Sequence, residues 1–341
     1  MVKKYRASMS IVLLALILAV IIHHVRVMVF AEDVRRVIFS DMLLLEGKPQ
    51  WRLFQSRVLG PILTKMLMRA SPTPDIGNIL FDLAGFGAAL VLAWLVGSRV
   101  VMSRAGATAA MLTMTLGYLA LFARDWFFSW DVIGPAFFMG FAWLVITNAK
   151  PIWIAALFAG AIWNREDALF IGLFLIIQPP IDWWLARRGG APSPLGWRSI
   201  TLGLICVAGG MLLITILRRL LLVHEVGPEW FGARQPTFTL FFQWNVPRNL
   251  NFVREDISWT VLEMPAFVLL PPLLIIVSCL YLACISVRRF LGYALINLAM
   301  VLATLMFGHT PETRQWSDSL PAVVLAASFM LARVDRATEA L

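Results

Sequence analysis

The sequence predicts an all-α, polytopic membrane protein of about ten helices. Three observations point there. Of 341 residues, 60% are apolar and only 14% are charged, against about 25% charged in an average soluble domain. Mean hydropathy is +0.79. Apolar runs of near-spanning length recur along the chain with no large polar block between them. Together these exclude a soluble globular enzyme, a disordered chain and a disulfide scaffold. Residues 1–341 are expected to form a single transmembrane domain.

The runs fall at about 9–30, 76–97, 106–122, 131–148, 199–217, 259–286, 290–307 and 318–334. The first follows Lys3, Lys4 and Arg6. Val29-Phe30-Ala31 lies far past the end of that run at Ile22, so an uncleaved first helix is expected rather than a signal peptide. Residues 57–70 are amphipathic and too short to span, and they read as a helix lying in the interface. The stretch 151–186 is apolar except for Asn164-Arg165-Glu166-Asp167. One helix through four polar residues would put charge at mid-bilayer. Two spans meeting at a polar turn avoid that.

Charge decides between these. With the N-terminus inside and two spans in 151–186, Arg187, Arg188, Arg198, Arg288, Arg289, Arg333 and Arg336 all lie inside. With one span they move outside, against the positive-inside bias of short loops. The expected result is ten spans with both termini cytoplasmic, in a cell membrane taken as a bacterial inner membrane. The outer loops are then 31–75, 123–130, 164–167, 218–258 and 308–317. Pro151 to Trp163 makes only roughly 20 Å of helix, against a hydrocarbon core of roughly 30 Å. The polar turn at 164–167 should therefore be recessed, which backbone tolerates only inside protein or beside a wet cavity.

The net charge of +9 is read as topology, not as a nucleic-acid signal; the expected surroundings are membrane lipids. Cys206, Cys279 and Cys284 sit in apolar runs and are expected as packed thiols. The 14 tryptophans cluster near outer helix ends, as in an interfacial belt or a stacking surface for sugar or lipid. Of the 20 acidic residues, only Asp182, Asp335 and Glu339 fall on the cytoplasmic side. Any chemistry should face outward.

Four places hold candidate residues. Glu32 and Asp33 follow the first helix, where a carboxylate serves as general base or holds a cation; a solvated helix end beside Arg35 and Arg36 is the plainer reading. Asp41 and Arg57 lie further along the same loop. Asp131 opens the fourth span, as a site residue or a simple N-cap. Asn164, Arg165 and Glu166 form the recessed turn, where capping does not explain Arg165 and Glu166 together. Glu312 and Arg314 precede Asp318 in the last outer loop, as a surface pair with an N-cap or as part of a site. Asp82 and Asn78, one turn apart, should hydrogen-bond within the bundle. The sequence has no Walker A, no HExxH and no Gly-rich dinucleotide turn.

These loops together resemble the GT-C superfamily of integral-membrane glycosyltransferases. In its polyprenyl-phosphate mannosyltransferase branch an acidic Asp-x-Asp after the first helix leads on to Thr-Asp-Ala, Gly-x-x-Pro-Tyr and Arg-Tyr-x-Pro-Leu-Leu. Asp33, Ser40-Asp41, Gly47 and Arg57-Val58-Leu59-Gly60-Pro61-Ile62-Leu63 follow a similar order. Asp131 matches a helix-opening Asp, Asn164 to Glu166 match an Asn-Arg-Glu turn, and Glu312 to Pro321 match a Glu-x-Arg run that opens the last helix. Arg35 stands where the second Asp of Asp-x-Asp would fall, and residues 1–341 are not expected to hold the soluble outer domain of larger members.

The resemblance implies transfer of a sugar from a polyprenyl-phosphate donor to a lipid-linked or envelope glycan acceptor, with inversion at the anomeric carbon. It implies Asp33 as base, with Glu32 and Asp41 as further candidates. Arg165, Arg218, Arg219 and Arg314 are the candidates for holding phosphate, with Arg57, Asp131, Asn164, Glu166 and Glu312 beside the substrate. No cofactor is firmly implied, and the need for a divalent cation stays open. Two other classes compete: a transporter or flippase of a lipid-linked sugar, which predicts polar residues through the full depth and an inverted repeat, and a non-catalytic scaffold of an envelope-assembly complex.

Overall fold

The computed structural model describes residues 2–29, 31–48, 56–121, 127–187, 195–221, 247, 265–307 and 313–339; side chains 2–8, 31–33, 221, 265–269, 287–289, 313–314 and 334–339 fall outside that description. Among the described residues every regular element is helical. The helices are α1 (Val2–Val29), α2 (Ala31–Leu45), α3 (Leu59–Ala70), α4 (Pro74–Val101), α5 (Arg104–Leu121), α6 (Ser129–Ile146), α7 (Pro151–Ala161), α8 (Leu169–Ala186), α9 (Arg198–Leu221), α10 (Pro265–Ile285), α11 (Val287–Phe307) and α12 (Leu320–Glu339). Short 3-10 turns at Glu166–Ala168 and Thr313–Ser319 precede α8 and α12.

Among the described residues, six segments are long and apolar enough to cross a membrane: Met9–Val29, Pro74–Val101, Ser129–Ile146, Glu166–Ala186, Arg198–Leu220 and Phe290–Phe307. Pro151–Ala161 and Leu270–Ile285 are apolar but shorter. This is the architecture of a polytopic membrane protein. Its outer surface agrees: Leu13, Ile17 and Val20 of α1, Leu204, Ile205 and Leu212 of α9, and Leu273, Val277 and Leu280 of α10 are all exposed. In water such faces would be unstable; against lipid tails they are matched. Only 22% of the α9 window and 28% of the α1 window is buried, against 67% for α6. Helix α6 is therefore the centre and α1 and α9 lie at the rim.

Helix α4 packs against α1, α3, α5, α6 and α12. On the other side, α8 packs against α7, α9 and α11, and α10 against α11 and α12. Helix α6 joins the two groups. Phe86 and Tyr118 meet edge to face at 4.9 Å on one side of it, and Phe141 meets Phe174 at 5.1 Å and Tyr293 at 5.5 Å on the other. The start of α4 is set locally. The Thr73 hydroxyl accepts from the Ile76 N–H at 3.3 Å, and Pro74 takes the first helical position.

Several expectations are corrected here. The segment 31–75 holds two helices before α4, not one. Val37, Ser40, Asp41 and Leu44 recur at helical spacing on the buried face of α2; a serine and an aspartate on that face hide the period. Asp82 does hydrogen-bond within the bundle as expected, its partners being Arg26 and His23 of α1. Asp131 is the third residue of α6, not its N-cap. Cys206 and Cys279 are buried thiols as expected, but Cys284 is exposed.

Helices α3 and α4 approach closely at Gly77, where any Cβ would strike the Met68 backbone. Gly77→Ala should therefore destabilise the fold by about 1–3 kcal/mol, as overpacking does. Gly87→Ala, where a Cβ meets nothing within 4 Å, should be neutral or stabilising. Thermal unfolding of the two variants in detergent checks this.

Candidate functional site

The first turn of α6 has no exposed residue: Ser129, Trp130 and Asp131 are all buried, followed by Val132, Ile133, Gly134 and Pro135. Pro135 has no N–H to donate to the Asp131 carbonyl, so the helix is weakened at this point. The Asp131 carboxylate turns back to accept the Phe128 N–H at 3.1 Å. That capping contact leaves its other oxygen for Arg165, whose Nη1 lies 3.1 Å away.

Arg165 is the hub. It follows the short helix α7, and its neighbour Asn164 donates to the Trp130 carbonyl at 2.9 Å. Its guanidinium also meets Asp167 at 2.9 Å through Nε and Asp318 at 3.6 Å through Nη1. One cation thus serves three carboxylates from α6, the 164–168 turn and the turn before α12. Asp318 presses so closely on Gly134 that a Cβ there would strike its Oδ1.

A second group lies beside the first. Arg57 grips Glu166 with two bonds, 2.6 Å from Nη2 and 3.1 Å from Nε. Arg218, at the end of α9, reaches the same carboxylate at 3.6 Å and the Ser56 hydroxyl at 3.4 Å. The Arg57 guanidinium lies 5.5 Å from the centre of the Trp130 ring, which stacks on Phe128 at 4.5 Å. The Leu59 N–H donates to the Trp163 carbonyl at 2.9 Å, tying the start of α3 to the end of α7.

The third member is Asp41. It is buried on α2 and its Oδ2 accepts the Ser129 N–H at 3.3 Å, while Oδ1 is buried with no hydrogen-bond partner. Burial pushes its carboxyl up to about 7, with the Ser129 bonds and the Arg26 charge opposing the rise. Burial also raises Asp318, against the pull of Arg165.

The structure thus brings together Arg57, Asp131, Asn164, Arg165, Glu166 and Arg218, with Asp41 beside them. Arg219 is exposed. Glu32, Asp33 and Arg314 lie on described backbone, but their side chains fall outside the described residues, as does the whole of Glu312. Asp167 and Asp318 join as site residues that the sequence reading left to capping, since each also stands at a helix start. Trp130 and Trp316 are buried here, whereas Trp153, Trp163, Trp183, Trp184 and Trp197 are exposed in the manner of an interfacial belt. Among the described residues no group of three or more His, Cys, Asp or Glu is placed to hold a metal ion. The carboxylates that converge do so on a guanidinium, so this donor set does not fit a divalent cation.

Comparison with protein-family models, with curated proteins and with solved structures finds no match for this chain.

A carboxyl raised by burial adds stability while protonated and loses it on ionising. The contribution of Asp41 is complete below its ordinary value of 3.8 and is lost as pH rises through about 7. Asp41→Asn should remove that loss. Its unfolding temperature should gain on the wild type between about pH 4 and pH 7 and level off above that, and a constant difference across the whole range would contradict the assignment.

Proposed function

We propose that this chain is a glycosyltransferase that moves a sugar from a polyprenyl-phosphate carrier to a lipid-linked or envelope glycan acceptor at the extracytoplasmic face. The observation that carries the reading is a buried carboxyl, Asp41 of α2, against the first turn of α6, which also presents Asp131 to Arg165, with Arg57 and Arg218 sharing Glu166 on the adjoining turn, at the polar end of an apolar bundle. A lipid-borne donor reaches such a bundle from the side, through faces already matched to lipid. The reading includes ten crossings, both termini cytoplasmic and the Arg165 cluster on the outer side.

The chemistry follows from the parts. The acceptor hydroxyl gives its proton to a carboxylate, and its oxygen bonds to the anomeric carbon. The bond from that carbon to the phosphate oxygen breaks, and the leaving polyprenyl phosphate keeps the electron pair. Arg57 and Arg218 converge on Glu166, and guanidinium groups suit a leaving phosphate. Asp41 is the preferred base because it has an uncommitted oxygen within the cluster. Asp33 and Glu32, in the first turn of the same helix, are the reserve, and Glu312, Arg314 and Arg219 are secondary contacts. Arg165, with Asn164, holds Asp131 and Asp318 in place.

A carrier that flips a lipid-linked sugar is the second reading. It is favoured by the Gln178 to Asp182 bond of 2.9 Å, buried toward the other end of α8. The purified chain, assayed against a panel of polyprenyl-phosphate sugars, separates the two. Transfer is expected with at least one donor, and Asp41→Asn should lower it about 10²–10⁴-fold. Full activity in Asp41→Asn with loss in Asp33→Asn would move the base along α2. Movement of donor across vesicles without transfer would favour the carrier.

A further inference from the structure

Below the outer cluster, α1 and α4 share a buried polar contact that the proposed chemistry does not use. Arg26 of α1 sends Nη1 to Asp82 of α4, 2.6 Å from Oδ1 and 2.5 Å from Oδ2. His23, one turn earlier, places Nδ1 2.8 Å from Asp82 Oδ2. Arg26 and Asp82 are both buried. The other arm of the guanidinium, Nη2, donates to the carbonyl of Phe127 at 2.5 Å.

Phe127 stands two residues before Ser129, whose N–H donates to Asp41. Arg26 therefore holds the segment that supplies the hydrogen bond to Asp41. It is also a cation whose charge reaches Asp41 from α1; from α6 the groups that act on Asp41 are Ser129 and the carboxylate of Asp131. Asp82 and Asp41 are thus two buried carboxyls within the field of one guanidinium. The contact distances assign Arg26 to Asp82.

We propose that Asp82 and His23 are positioning residues that hold the Arg26 guanidinium on the Phe127 carbonyl and off the Asp41 carboxyl. In this arrangement Arg26 orders the 127–129 segment without forming an ion pair with Asp41, and Asp41 stays free to take and release a proton. Freed from Asp82, the guanidinium would turn to Asp41 and fix it as an ordinary paired carboxylate. The consequence for rate rests on the reading of Asp41 as base; the arrangement itself does not.

The test is an infrared pH titration of the full chain in lipid, following the protonated-carboxyl band that Asp41→Asn removes. It needs no substrate, so the glycosyltransferase reading and this one can fail separately. Asp82→Asn should lower the Asp41 midpoint by about 1–3 pH units, the effect of an opposite charge at contact. An unchanged or raised midpoint in folded Asp82→Asn would overturn the proposal. Arg26→Gln with Asp82→Asn removes both buried charges and so is the gentler change to the fold. That double variant should leave the midpoint within about half a unit of wild type. A fall as large as the single variant's would show that Asp82 acts other than through Arg26, and would equally overturn it.

Discussion

Arg165 is buried and meets three carboxylates, two of them, Asp131 and Asp318, buried with it. A buried ion cluster gains nothing simply by being charged. Its desolvation cost is recovered only if each charge keeps its partners in good geometry. That condition constrains much else: the break in α7 that presents Arg165, the glycine at 134 that admits Asp318, and the capping contact that turns Asp131 inward. The neighbouring Arg57, Glu166 and Arg218 group meets the same requirement with two cations on one anion.

The apolar helices were legible because lipid and core both demand long apolar runs, and the runs expected at 76–97, 106–122, 131–148, 199–217 and 290–307 lie within a few residues of the observed helices. The recessed turn at 164–167 was legible for a related reason. Thirteen residues from Pro151 cannot cross the bilayer, so the polar residues after them had to be buried in protein. Asp131 and Arg57 were found by type and place. What sequence could not supply was partnership. Arg57 meets Glu166 across 109 residues and Arg218 meets Ser56 across 162, and no local period encodes either contact. Asp318 was missed because it has an adequate local explanation as a cap; only the approach of Arg165 shows that an arginine takes it instead. Asp82 was expected to bond within the bundle and does, but its partner Arg26 was not legible.

Among the described residues the buried arginine–carboxylate contacts gather toward one end of the bundle. One end of the bundle holds the Arg165 and Arg57 clusters with Asp41. The Arg26 to Asp82 contact lies next to them through Phe127. The remaining surface of α1, α9 and α10 is apolar and exposed. A donor whose tail belongs in lipid and whose phosphate needs guanidinium would find both requirements met within one site. This is the physical basis of the proposed glycosyl transfer, and it predicts a particular location for the phosphate end of the lipid.

The most direct measurement is cross-linking of the full chain in lipid with a polyprenyl phosphate bearing a photoreactive group beside the phosphate, followed by peptide mapping. The account predicts adducts in 56–60, 128–131 and 163–168, reduced by competing unlabelled polyprenyl phosphate. Adducts concentrated instead at 178–187 and 286–293, at the far ends of α8 and α11, or spread evenly over the lipid-facing surfaces of α1 and α9, would contradict it.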